Sequence, residues 1–145
     1  MELEDARLWL SLAQQPYPII NDFLKQIIDL KIDTESSLLI PQWLKNNQAK
    51  INNSQLDTSL LWLEQPGHEL LCFPQYPENL RAIKDPPAIL FLAGKTELLF
   101  KPQLAIVGSR KPTHAGRENA IYFARFLAKA GLTLISGLAT GVDGL

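Results

Sequence analysis

The chain has 145 residues, 46% hydrophobic and 20% charged, which is enough apolar side chain for a packed core and too little charge for a disordered chain. The formal net charge of −1 is unevenly spread: residues 101–145 carry six basic and two acidic groups, and the preceding hundred carry eight and thirteen. No run of about 18 apolar residues occurs, and Met1-Glu2-Leu3-Glu4-Asp5 is acidic where a secretory leader is basic, so the expectation is a cytoplasmic protein with no membrane span.

In chain order, Leu3, Ala6, Leu10 and Ala13 recur at helical spacing. That first helix must stop before Pro16 and Pro18, because proline cannot donate to the helical ladder. Ile20, Phe23, Leu24 and Ile27 mark one face of a second helix. Shorter apolar groups follow at Leu38 to Leu44 and Leu60 to Leu63, separated by Asn46-Asn47-Gln48 and Asn52-Asn53. Trp9, Trp43 and Trp62 lie among leucines and read as core rather than as base-stacking platforms. This part reads as a small helical domain. Pro66-Gly67 punctuates the chain and marks the expected boundary, with residues 1–66 on one side and 67–145 on the other.

Beyond it, Leu70–Phe73 is a candidate strand, and it holds the only cysteine, Cys72, which reads as a buried structural thiol. Pro77–Ile83 is a candidate short helix opened by proline. Asp85-Pro86-Pro87 forces extended backbone, and Ala88 to Ala93 reads as a strand closed by Gly94.

The last stretch carries the chemistry. Leu104–Val107 is a short, fully apolar run of the kind a central parallel strand needs, and it ends in Gly108-Ser109-Arg110. A helix is expected over Thr113 to Ala130, with Ala120, Phe123, Ala124, Leu127 and Ala130 on one face and Gly131 as its stop. Leu132–Ile135 is a second apolar strand, ending in Ser136-Gly137-Leu138-Ala139-Thr140-Gly141-Val142-Asp143. Strand, turn, helix, strand and glycine-rich turn make one βαβ unit, so the two strands are expected to be parallel neighbours.

In an open parallel sheet, ligands gather at the carboxyl ends of the strands, where both turns lie. Gly108, Gly137 and Gly141 can bring backbone N–H groups close to a phosphate with no Cβ in the way. Ser109 adds a hydroxyl, and Arg110 adds a forked cation suited to phosphate oxygens. Anion binding is expected at the paired turns; the bland alternative is that the glycines only make tight strand-to-helix connections. Neither the dinucleotide fingerprint nor the P-loop pattern occurs, which argues against a dehydrogenase or an NTPase. His68 and His114 lie far apart with no cysteine near either, and no serine sits in a nucleophile elbow. No metal, no cofactor and no catalytic residue is expected.

At these residues the chain resembles the DprA/Smf family of DNA-processing proteins. The resemblance runs from about Phe73 to Leu145. Its opening pattern is Tyr76-Pro77 with Leu80, Ile83, Asp85-Pro86-Pro87, Leu90 and Gly94. The two turns follow, as Ala105-Ile106-Val107-Gly108-Ser109-Arg110 with Pro112-Thr113, and as Ser136 through Asp143. The resemblance implies a mixed α/β fold, with a small N-terminal helical domain of the sterile-alpha-motif (SAM) type before the start of an extended Rossmann-like sheet. It implies binding of single-stranded DNA without sequence preference, protection of incoming DNA, and delivery to the RecA recombinase during natural transformation. It also implies a homodimer at full length and a DNA-binding protein rather than an enzyme. The first turn, Gly108, Ser109 and Arg110, then takes a DNA phosphate, and Ser136, Gly137 and Gly141 form the opposite wall. Asp143 reads as a turn-orienting carboxylate, since facing the pocket it would repel phosphate. Ala115 stands where the family usually has tyrosine, which removes an aromatic from the pocket rim. The family continues beyond the position of Leu145, and so few strands leave sheet edges bare, so the chain is expected to be a truncated piece of a longer protein.

Two rival readings remain open from sequence. One is a Rossmann-like nucleotide phosphoribohydrolase of the lysine-decarboxylase-like type, which shares the Gly-Ser ending of the first strand but normally has a triple-glycine second turn. The other is an interaction module in which the helical domain alone binds a partner.

Overall fold

Apolar residues at helical spacing become buried helix faces in the first part of the chain. A computed structural model describes residues 2–32 and 36–145; Met1, from which the helical domain was counted, lies outside them. Helix α1 spans Leu3–Ala13 and α2 spans Tyr17–Leu30. All four residues of the expected α2 face, Ile20, Phe23, Leu24 and Ile27, are buried. The buried side of α1 is Ala6, Trp9, Leu10 and Leu12, while Leu3, in the first turn, stays exposed. Phe23 is fully buried, with Trp9 and Trp43 meeting its ring edge-on at 6.3 and 5.2 Å. The tryptophans of this cluster serve the core, as expected.

Helices α3 (Ile40–Asn46) and α4 (Asn53–Leu63) complete the helical layer. Asn52 caps α4 by accepting from the Gln55 N–H. The Gln14 side chain accepts from the Asn52 N–H at 2.6 Å and donates to the Asn52 carbonyl at 3.2 Å. This amide clasp ties the end of α1 to the start of α4.

Pro66-Gly67 makes a turn, with Gly67 at φ 76°, and strand β1 (His68–Cys72) leaves it. After the single-turn helix α5 (Glu78–Arg81), strand β2 (Ile89–Ala93) pairs antiparallel with β1, His68 opposite Ala93 and Cys72 opposite Ile89. β1 packs on α4 and β2 on α1, burying Leu70, Leu71 and Cys72. The hairpin therefore shares the helices' core, and the chain divides into compact units at Met1–Thr96 and Glu97–Leu145 rather than at Pro66-Gly67. His68 is half-buried: its ring stacks on Trp62 at 3.8 Å, and Nδ1 donates to the Trp62 carbonyl at 2.8 Å.

In the second unit, β3 (Gln103–Ala105) and β4 (Thr133–Ile135) pair in parallel, Leu104 opposite Leu134. This is the expected βαβ arrangement, with α6 over His114–Lys129 between the strands. The strands are shorter than their apolar runs: the Ile106 N–H still reaches the Ile135 carbonyl at 3.0 Å, and Val107 then swings out, 72% exposed, to begin the turn. Ala120, Ala124 and Leu127 are half-buried on α6, whereas Phe123, expected on the same face, is exposed. Among the described residues no helix is long and apolar enough to cross a membrane.

Candidate functional site

Both glycine-bearing turns leave the carboxyl ends of β3 and β4, and parallel pairing puts those ends side by side. The turns are locked to each other by the backbone. Val142 donates its N–H to the Ser109 carbonyl at 3.1 Å. Asp143 Oδ1 accepts from the Gly108 N–H at 3.0 Å. Ser136 Oγ donates to the Asp143 carbonyl at 2.7 Å and accepts from the Leu138 N–H at 3.3 Å. Within the first turn, Ser109 Oγ accepts from the Lys111 N–H at 3.1 Å. The structure thus brings Gly108, Ser109, Arg110, Ser136, Gly137, Gly141 and Asp143 into one constellation.

The glycines serve different physical needs. Gly141 sits at φ 107°, and a Cβ there would collide with the Ser109 carbonyl oxygen and the Arg110 backbone. Gly108 has an ordinary φ, but a Cβ would come within 2.8 Å of Cβ of Val142. Both are glycine because the turns pass so close. A Cβ at Gly137 would meet Asp143 Oδ2 at an unstrained 3.4 Å, so spacing does not require glycine there.

These contacts redistribute the roles expected of the turns. The Gly108 N–H is engaged by Asp143, and the Ser136 hydroxyl is engaged on both sides, so both act as struts. Among the described residues, the N–H groups of Ser109, Arg110 and Gly137 donate to no atom of the protein. Arg110 is exposed and makes no ion pair with any described residue. Thr113 caps α6 by accepting from the Gly116 N–H at 3.1 Å, which sets the positive end of the helix just past the first turn. An arginine and unengaged backbone donors in the two turns, with a helix N-terminus three residues further along the chain, make a set that suits a phosphate oxygen. Ala115, where an aromatic was expected to be missing, is exposed in the first turn of α6.

Three neighbours of the site escaped sequence reasoning. Val142 fills the space that a Gly108 side chain would need. Leu138 holds φ 51° and is 83% exposed, an uncommon combination for a branched residue. Arg125, eleven residues into α6, borders an open depression of about 500 Å³ together with Ser136, Leu138 and Asp143. Helical spacing carried a weak signal for Arg125, which lies four residues after Ile121, a half-buried residue lining the same depression.

Comparison with known proteins follows the same residues. The family model for DNA recombination-mediator protein A matches residues 70–145. Protein Smf of Escherichia coli (strain K12) is 42% identical over 92 residues, 62% of this chain and 25% of that protein. DNA processing protein DprA of Bacillus subtilis (strain 168) is 42% identical over 72 residues, 49% of this chain and 24% of that protein. Among solved structures, the DNA processing protein A of Helicobacter pylori, described for its unique single-stranded DNA binding mode, is 40% identical; the match covers 52% of this chain and 35% of that one, with a TM-score of 0.49. The chain spans about a quarter of the length of these two curated relatives. The family match covers more than half of the chain and runs through β1, β2 and both turns, and on that ground the chain belongs to the DNA recombination-mediator protein A (DprA/Smf) family.

Proposed function

We propose that the chain binds single-stranded DNA at the paired turns of its second unit, with Arg110 gripping a backbone phosphate. The observation that carries this reading is the locked pair of turns, which holds Arg110 exposed and without a carboxylate partner beside unengaged backbone donors. Ser109 and Gly137 contribute N–H groups; Gly108, Ser136 and Gly141 keep the turns at the right separation. Asp143 is occupied as the acceptor for Gly108, which fits a strut rather than an acid or base, and supports a binding protein over an enzyme. Family membership supports the same choice and extends it. In this reading the protein works in the cytoplasm, protects incoming DNA during transformation, passes it to the RecA recombinase and forms a homodimer at full length.

Binding of labelled oligonucleotides at several salt concentrations tests the phosphate grip. Arg110→Ala should weaken binding alike for every sequence, since phosphates carry no base information. The salt slope should flatten by about 0.7, the value for one phosphate fewer on a single strand. Arg110→Lys should recover part of the loss, because the ammonium keeps the charge but not the fork. Lys25→Ala on α2, in the other unit, serves as the charge control. Wild-type affinity and slope in a folded Arg110→Ala protein would exclude this pocket.

A further inference from the structure

Helix α6 presents a second surface that the paired turns do not use. Tyr122 and Phe126 are four residues apart and so stand on the same side of the helix. Their rings are within 17° of parallel, with centroids 6.4 Å apart, and Phe123 meets Tyr122 edge-on at 5.7 Å. Tyr122 is 64% exposed and Phe126 59%. The outward side of an amphipathic helix ordinarily carries polar groups, so contiguous exposed rings mark a contact surface.

The charges interleaved with these rings identify what the surface fits. Arg125 and Lys129 line, with Tyr122, Phe126, Ile121 and Glu118, an open groove of about 480 Å³ along the helix. Glu118 is the only carboxylate among these lining residues, and His114 Nδ1 lies 3.5 Å from it, one turn back toward the helix start. Arg125 also borders the depression that reaches Ser136, Leu138 and Asp143, so one cation lines both the groove and the depression beside the second turn. Rings alternating with cations, in a stretch bearing six basic and two acidic residues, complement a flexible polyanion that carries flat aromatic groups.

We propose that Tyr122 and Phe126 form a base-stacking platform for single-stranded nucleic acid, with Arg125 and Lys129 neutralising the phosphates of the stacked nucleotides. The proposal rests on the reading of the paired turns as a phosphate site and deepens it: Arg110 holds the backbone, and α6 takes the bases. Every base has a π face, so this contact tolerates all sequences, as the phosphate contact does.

The experiment compares an oligothymidylate with an abasic strand of the same length, binding to the whole chain and to Tyr122→Leu, Phe126→Leu and Arg110→Ala. Leucine keeps the apolar bulk and is a good helix former, so α6 should persist. The wild-type chain should prefer the strand that carries bases. Tyr122→Leu and Phe126→Leu should each weaken oligothymidylate binding by about 5-fold or more, the low end of one lost base stack, and leave abasic binding unchanged. Arg110→Ala should weaken both strands alike.

If the leucine variants bind both strands as wild type while Arg110→Ala weakens both, the platform is overturned and the phosphate site stands. Failure of the wild-type chain to bind either strand overturns both. Sedimentation showing that Tyr122→Leu converts a dimer to a monomer without changing DNA binding would make this face an interface between copies, and would also overturn the proposal. Photocrosslinking of a 5-bromodeoxyuridine strand to the wild-type chain adds a measurement independent of variant folding. Crosslinks to Tyr122 or Phe126 are expected, and crosslinks confined to other residues count against the platform.

Discussion

Asp143 shows how one residue's role turns on a single hydrogen bond. Its carboxylate accepts from the Gly108 N–H, 35 residues earlier, and thereby joins the two turns, yet it adds a negative charge to the pair of turns. The two effects separate by substitution. Asp143→Asn keeps an oxygen acceptor and removes the charge, so the turns should hold and single-stranded DNA should bind more tightly, most clearly at low salt. Asp143→Ala removes the acceptor, so binding should weaken along with Arg110→Ala; tighter binding in Asp143→Ala would show that the strut is dispensable. Cys72 offers a test of burial in the first unit. Desolvation first, and the Asp5 charge second, push its thiol from 9.0 up to about 12. The unfolded chain therefore loses this proton at lower pH than the folded one. The thiol's contribution to stability is whole below pH 9.0 and should fall away as pH rises from 9.0 toward about 12. Thermal melts across that window should show a flatter decline in Cys72→Ala than in wild type; parallel declines would mean that the thiol is not protected.

The helices were legible from their periodicity because a helix is a local object. The α2 face is buried as its spacing demands, and α6 begins and ends within a residue of the expected limits. Thr113 explains the start of α6, since its hydroxyl satisfies the Gly116 N–H that the helix leaves without a partner. Thr113→Ala should cost about 1 kcal/mol of stability, and Thr113→Ser should restore most of it. Chemical denaturation followed by the helix signal measures both, and an unchanged midpoint in Thr113→Ala would remove the cap from the account. Phe123 was misplaced for a geometric reason: the stripe of α6 that lies over the sheet takes in Ala120, Ala124 and Leu127, and leaves the next ring outside. The β1–β2 pairing was beyond sequence reasoning, since a strand's partner is chosen by what it buries against and not by its own alternation.

At the scale of the whole chain, the division into units also depends on contacts distant in sequence. Limited proteolysis distinguishes the two boundaries: early cuts are expected around exposed Lys95 and the following turn, with Gly67–Cys72 protected by its packing on α4. Early cutting at residues 65–69 instead would restore the boundary at Pro66-Gly67. By itself the sequence determined the helices, the parallel βαβ order and the presence of two glycine-bearing turns at neighbouring strand ends. Those features follow from spacing and backbone freedom, which act between residues close along the chain. Only the tertiary structure decided that Gly108 and Ser136 are struts, that Val142 occupies the space beside Gly108, and that Arg125 borders the same depression as the second turn. The reason is physical: a donor is available to a ligand only if no acceptor has been folded against it, and that acceptor can come from anywhere in the chain.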